Sequence, residues 1–117
     1  MQPIQIFEKV REQVNDVGDP PIWKDDRYFK FLLEFLQLMF DHFPESRIDS
    51  TGALSPWVDY EVGVHMTTDL WLGPTYLPAA VAYLAYRFFS ADAGDTRDND
   101  KAQLHLRSFS RLVGRAF

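Results

Sequence analysis

The chain has 117 residues, with 12 Lys and Arg against 17 Asp and Glu, for a formal net charge of −5. That length supports one domain with one real core. The absence of cysteine excludes disulfides, thiolate metal sites and a cysteine nucleophile, and the acidic balance argues against indiscriminate coating of nucleic acid. Aromatic residues reach 15%, with 10 Phe, 5 Tyr and 3 Trp. A domain of this size has limited interior, so part of that aromatic surface is expected to face another subunit.

The N-terminus carries neither a basic leader nor a long apolar run, which reads as cytosolic. A first helix is expected over about residues 3–15, where Ile4, Phe7, Val10 and Val14 recur at three- and four-residue steps. Pro20 and Pro21 end it, with Gly18 as the expected cap. Asp25 or Asp26 is expected to cap a second helix over 25–42, stopped by Pro44. That helix is apolar on two faces. Tyr28, Phe29, Leu32, Leu36, Met39, Phe40 and Phe43 form one stripe, and Phe31, Phe35 and Leu38 a second. Such a helix lies inside a bundle or between a bundle and a partner.

Residues 45–77 form a long irregular excursion, and loops of this length inside a domain are usually functional. Weak alternation over 57–64 predicts a short strand, with 66–72 as its partner in at most one short β-hairpin. The most apolar stretch, 70–89, is broken by Pro74 and Pro78, so it reads as a turn and a buried helix rather than a membrane span. Pro78 starts a third helix over 78–91, and Ala79, Ala82 and Ala85 on it let a neighbour approach closely. A polar connector, 92–100, precedes a fourth helix over 98–115, with Ala102, Leu106, Phe109, Leu112 and Val113 expected on its inner face and a tail at 113–117. The whole reads as a mostly α four-helix bundle in a single domain, 1–117.

The fourth helix carries Lys101, Arg107, Arg111 and Arg115 with no acid over 101–117, a local charge of +4. Residues 1–61 carry 12 acids against 6 bases, a local −6. The chain is therefore electrically polarised. Its three histidines, His42, His65 and His105, lie in separate segments and in no zinc-type pair. The acidic run 92–100 fails as a calcium loop: counted from Asp98, Gln103 stands where glycine is needed and Phe109 where a bidentate Glu is needed. No nucleophile elbow, phosphate loop or dinucleotide fingerprint occurs. Neither catalysis nor any cofactor or metal is expected. The arginine stripe suits phosphate or an acidic protein surface, and Trp57, Tyr60 and Trp71 suit either core cover or interface anchors.

The order of these signals resembles the head-to-tail connector (adaptor) proteins of tailed bacteriophages over nearly the whole chain. The resemblance rests on Asn15-Asp16 ending the first helix, and on Trp23, Asp25 and Asp26 opening a long helix that closes on Phe43-Pro44-Glu45. It continues through Tyr83-Leu84-Ala85-Tyr86-Arg87, Ser90-Ala91-Asp92, and Lys101-Ala102-Gln103-Leu104-His105 with Phe109 following. The excursion is shorter than in the longer members and leaves little room for a β-insert.

The resemblance implies a structural virion protein, made in the host cytoplasm and placed in the neck between capsid and tail. Copies would form a ring, dodecameric by resemblance, beneath the portal protein, extending the DNA channel and offering a platform to a tail or nozzle protein. DNA would pass through an acidic lumen without sequence-specific binding, and no membrane is involved. On this reading Arg107, Arg111, Arg115 and Phe117 dock on the portal. Phe31, Phe35, Leu38, Trp57, Tyr60 and Trp71 face a neighbouring subunit or the tail. Two other readings are a small helical binding protein that inhibits or regulates a host or phage protein, and a DNA-binding domain using Arg107, Arg111 and Arg115.

Overall fold

The computed structural model describes residues 1–18, 21–61, 65–91 and 96–114. Helix α1 spans Pro3–Gln13. Pro3 sits in the first turn, where its missing N–H has no helical partner to lose, and the Gln2 backbone N–H donates to Gln5 Oε1 at 2.9 Å. Asn15, not Gly18, turns the chain out of the helix. Asn15 adopts φ 57°; its N–H donates to the Glu12 carbonyl at 3.4 Å and the Asp16 N–H to the Arg11 carbonyl at 2.8 Å. This is a Schellman closure, and asparagine is among the few residues other than glycine that visit the left-handed region readily.

Helix α2 spans Asp25–His42, within the predicted bounds. Lys24 occupies the cap position without a side-chain cap bond. Asp25 and Asp26 fall instead in the first turn, where carboxylates favour the positive end of the helix dipole. At the other end Ser46, in a single 3₁₀ turn over Pro44–Arg47, donates its hydroxyl to the Phe43 carbonyl at 2.7 Å. Helix α3 spans Leu77–Ala91 and follows a short 3₁₀ turn, Pro74–Tyr76. Helix α4 spans Thr96–Val113. It begins earlier than the spacing predicts and stops earlier too, because Gly114 adopts φ 71°, a conformation that glycine enters without a Cβ penalty.

Helix α3 lies at the centre, against α1, α2 and α4, and α4 packs chiefly on α3. The molecule measures 44 × 33 × 18 Å along its principal axes. Most of both stripes of α2 is buried within the chain, Leu38 and Phe40 being half-buried. Tyr28, Phe29, Leu32, Leu36 and Met39 are inaccessible, and so nearly are Phe31 at 2% and Phe35 at 0% exposure. Phe88 of α3 meets Phe31 edge-on with centroids 4.8 Å apart. Tyr83 and Phe109 cover Phe35 at 5.7 and 6.1 Å. The expectation that Phe31 and Phe35 face another subunit is thus corrected: α3 supplies the second wall. Each such ring contributes about 2 kcal/mol of burial.

The excursion contains no strand among the described residues, only an isolated antiparallel bridge between Ile48 and Leu54. Residues 62–64 of the predicted strand lie outside the described residues. The predicted partner segment binds the N-terminal chain instead: the Ile4 N–H donates to the Met66 carbonyl at 3.0 Å and the Leu70 N–H to the Met1 carbonyl at 2.8 Å. The tight turn lies nearer α2, where Asp49 Oδ1 accepts from the Thr51 N–H at 2.8 Å, the Thr51 hydroxyl at 2.6 Å and the Ala53 N–H at 3.1 Å. These bonds hold the Asp49 carboxyl below its usual range. No helix among the described residues is long and apolar enough to cross a membrane.

Candidate functional site

Two polar clusters hold the bundle rather than face a ligand. Asp16 is buried to 1% exposure, and accepts from Arg11 at 2.7 Å, from the Tyr28 hydroxyl at 2.7 Å and from the Ile22 and Trp23 backbone N–H groups. Arg11 also reaches Asp25 at 2.8 Å and lies over the Tyr28 ring. The turn after α1 is thereby tied to the start of α2, a link that the sequence signals only by the proximity of Asp16 to the Trp23-x-Asp25 step. In the second cluster, Arg87 of α3 bridges to Glu34 of α2 at 2.8 Å and lies 5.0 Å from the Phe31 ring centroid.

The excursion aromatics form a half-buried group around Phe40. Trp57 and Trp71 approach the Phe40 ring at 5.4 and 5.7 Å, while the Arg47 guanidinium lies 3.9 Å from its centroid. Tyr60 is buried, and its hydroxyl accepts from the Trp71 backbone N–H at 2.8 Å. The structure therefore packs Trp57 and Trp71 on Phe40 of α2 and against each other, and joins Tyr60 to them through the Trp71 backbone. Leu38 is half-buried and lines a shallow trough of about 790 Å³ along α2 with Asp26, Lys30, Leu33 and Asp41.

The histidines do not converge. His65 Nδ1 accepts from the Glu61 backbone N–H at 2.6 Å. His105 stacks on Phe89 at 5.5 Å, and burial, aided by the Lys101 charge, pushes it below the usual imidazole value. Among the described residues no group of three His, Asp or Glu could hold a metal ion.

The outward face of α4 is different in kind. Arg107 and Arg111 are exposed, and neither has a hydrogen bond or ion pair among the described residues. Beside them Leu104 stands 59% exposed, and Leu112, on the flank toward α3, 52%. Helical spacing predicts Leu112 on the inner face; the structure turns it out, because Ala102 and Phe109, at 1% and 0% exposure, set the inner face of the helix. The missed signal is the spacing of Leu104, three residues before Arg107 and seven before Arg111, which puts it on their side of the helix. Arg115 and Phe117 lie outside the described residues. Behind Leu112 runs an open groove of about 580 Å³, floored by Leu77, Pro78, Val81 and Ala82 of α3 and flanked by α1. Arg107 and Arg111, without a partner among the described residues and with Leu104 exposed beside them, suit an acidic, partly apolar protein surface.

Comparison with protein-family models, curated proteins and solved structures finds no match in any of the three.

Proposed function

We propose that this protein is a structural assembly subunit of the head-to-tail connector kind, with docking as its task and no catalysis. In this reading its copies form a ring beneath a phage portal, extend the channel through which DNA passes, and present a platform to the tail. The observation that carries it is the outer face of α4, where Arg107 and Arg111 have no partner among the described residues and Leu104 is exposed beside them. Exposed arginines beside an exposed leucine suit a contact with another protein and contribute little to the fold itself. The ring placement comes from the sequence resemblance, and the helical bundle is compatible with it.

Electron microscopy of the chain mixed with a candidate portal protein tests the reading. An added ring of density below the portal is expected, and an unchanged portal particle overturns it. Deleting α4 from Lys101 onward is a poor probe, since Ala102 and Phe109 are buried in the core. The double substitution Arg107→Glu, Arg111→Glu keeps those residues and is expected to weaken docking at least tenfold.

A further inference from the structure

From Ile48 to Tyr86 the sequence contains no Lys or Arg and four acids, Asp49, Asp59, Glu61 and Asp69, all exposed. The same region carries exposed aliphatic side chains: Ile48 at 54%, Leu54 at 59% and Val58 at 38%. Ile48 and Leu54 sit opposite each other across the bridge. The Asp49–Ala53 backbone pair at 2.9 Å and the Ser55–Arg47 pair at 2.6 Å fix the two sides of that turn. A preorganised apolar tip loses little conformational freedom when it docks.

The outer face of α4 is the chemical opposite in charge and the same in its apolar content. Past its first turn, over 101–114, it has Lys101, Arg107 and Arg111 and no acid, Asp100 being the exposed acid just before them, with Leu104 exposed beside the arginines. None of the four acids of the excursion is a partner of Arg107 or Arg111 within the chain.

We propose that the acidic excursion of one copy, led by Ile48 and Leu54, docks on the α4 face of a second copy. The inference rests on the reading of α4 as the docking face and names its partner as this same chain. Because the two surfaces differ, the contact is heterologous. The pair keeps one surface of each kind free, so the contact repeats until it closes into a ring or continues as a filament. The charges steer and orient the encounter and the aliphatic side chains hold it.

Sedimentation velocity and mass photometry of the full chain test it. Assemblies larger than a monomer are expected at about 0.1 M salt, weakening at least tenfold toward about 1 M, where the Debye length falls to roughly 3 Å. The variant Arg107→Glu, Arg111→Glu and the variant Asp59→Lys, Glu61→Lys are each expected to stay monomeric with native circular dichroism. Mixed in equal amounts they are expected to assemble again, since each then presents the charge that the other lacks.

Three outcomes overturn the contact: a wild-type chain monomeric up to about 1 mM, assembly of either charge variant at wild-type strength, or no recovery in the mixture. A wild-type chain that adds density to a portal while failing these tests retains the connector reading and loses only this contact. A chain that assembles with itself and leaves the portal bare retains the contact and loses the connector reading.

Discussion

Asp16 shows how much one side chain can decide. Its carboxylate is inaccessible, and it closes a bond to Arg11, a bond to the Tyr28 hydroxyl and two backbone N–H groups. Asp16→Ala would leave all four donors short inside the protein and is expected to cost about 3 kcal/mol or more, read as a lower urea midpoint. Asp16→Asn keeps an acceptor and should cost less. Burial first, and then the bond to Asp16, raise the Tyr28 phenol above its ordinary value. Below pH about 10 both folded and unfolded chains hold that proton. Above it the unfolded chain releases the proton while the native one keeps it, so stability falls as pH rises, by up to about 1.4 kcal/mol per pH unit for one such group. Tyr60 and Tyr83, also raised by burial, add in the same direction. Denaturation between pH 9 and 11 should show the decline, with a shallower slope in Tyr28→Phe.

At the scale of elements, α2 and α3 make the core between them. Phe88 touches Trp23, Tyr28 and Phe31 with centroids 4.9, 4.4 and 4.8 Å away, so Phe88→Ala is expected to cost about 3–5 kcal/mol. Phe31→Ala should be comparably damaging to the isolated chain; unchanged thermal stability would return Phe31 to the surface. The bounds of α2 and the helical character of α3 were legible in the sequence, because Pro44 and the apolar spacing leave little choice. The second wall of α2 was not. A two-faced helix asks for two neighbours, and periodicity does not say whether the second is α3 or another subunit. The inner face of α4 was half legible. Ala102 and Phe109 lie inward as spaced, and Leu112 turns outward onto the rim of the groove that α4 shares with α3 and α1.

For the whole molecule, the separation of charge matters more than the net −5. Acids without bases from 48 to 86, and bases without acids from 101 to 114, place opposite charge on different surfaces of one small protein. Exposed charges usually contribute little to stability. Arg107→Glu with Arg111→Glu is therefore expected to change unfolding free energy by no more than about 0.5 kcal/mol, measured by urea titration at about 0.1 M salt. A much larger loss would mean that the arginines hold the fold, and would remove the basis for reading them as a docking face.

Aromatic residues make up 15% of this small acidic chain. By itself the sequence determined the helical class, the chain order of four helices, the irregular excursion and the division of charge, because proline positions, apolar spacing and charge counts are local properties. Only the tertiary structure decided where the rings go. Phe31, Phe35 and Tyr60 proved interior, Trp57 and Trp71 lie half-buried against Phe40, and among the described residues the large exposed apolar side chains are aliphatic, Ile22, Ile48, Leu54 and Leu104 among them. The physical reason is that burial depends on which neighbour covers a face. That neighbour can be far away in sequence, as α3 is from α2.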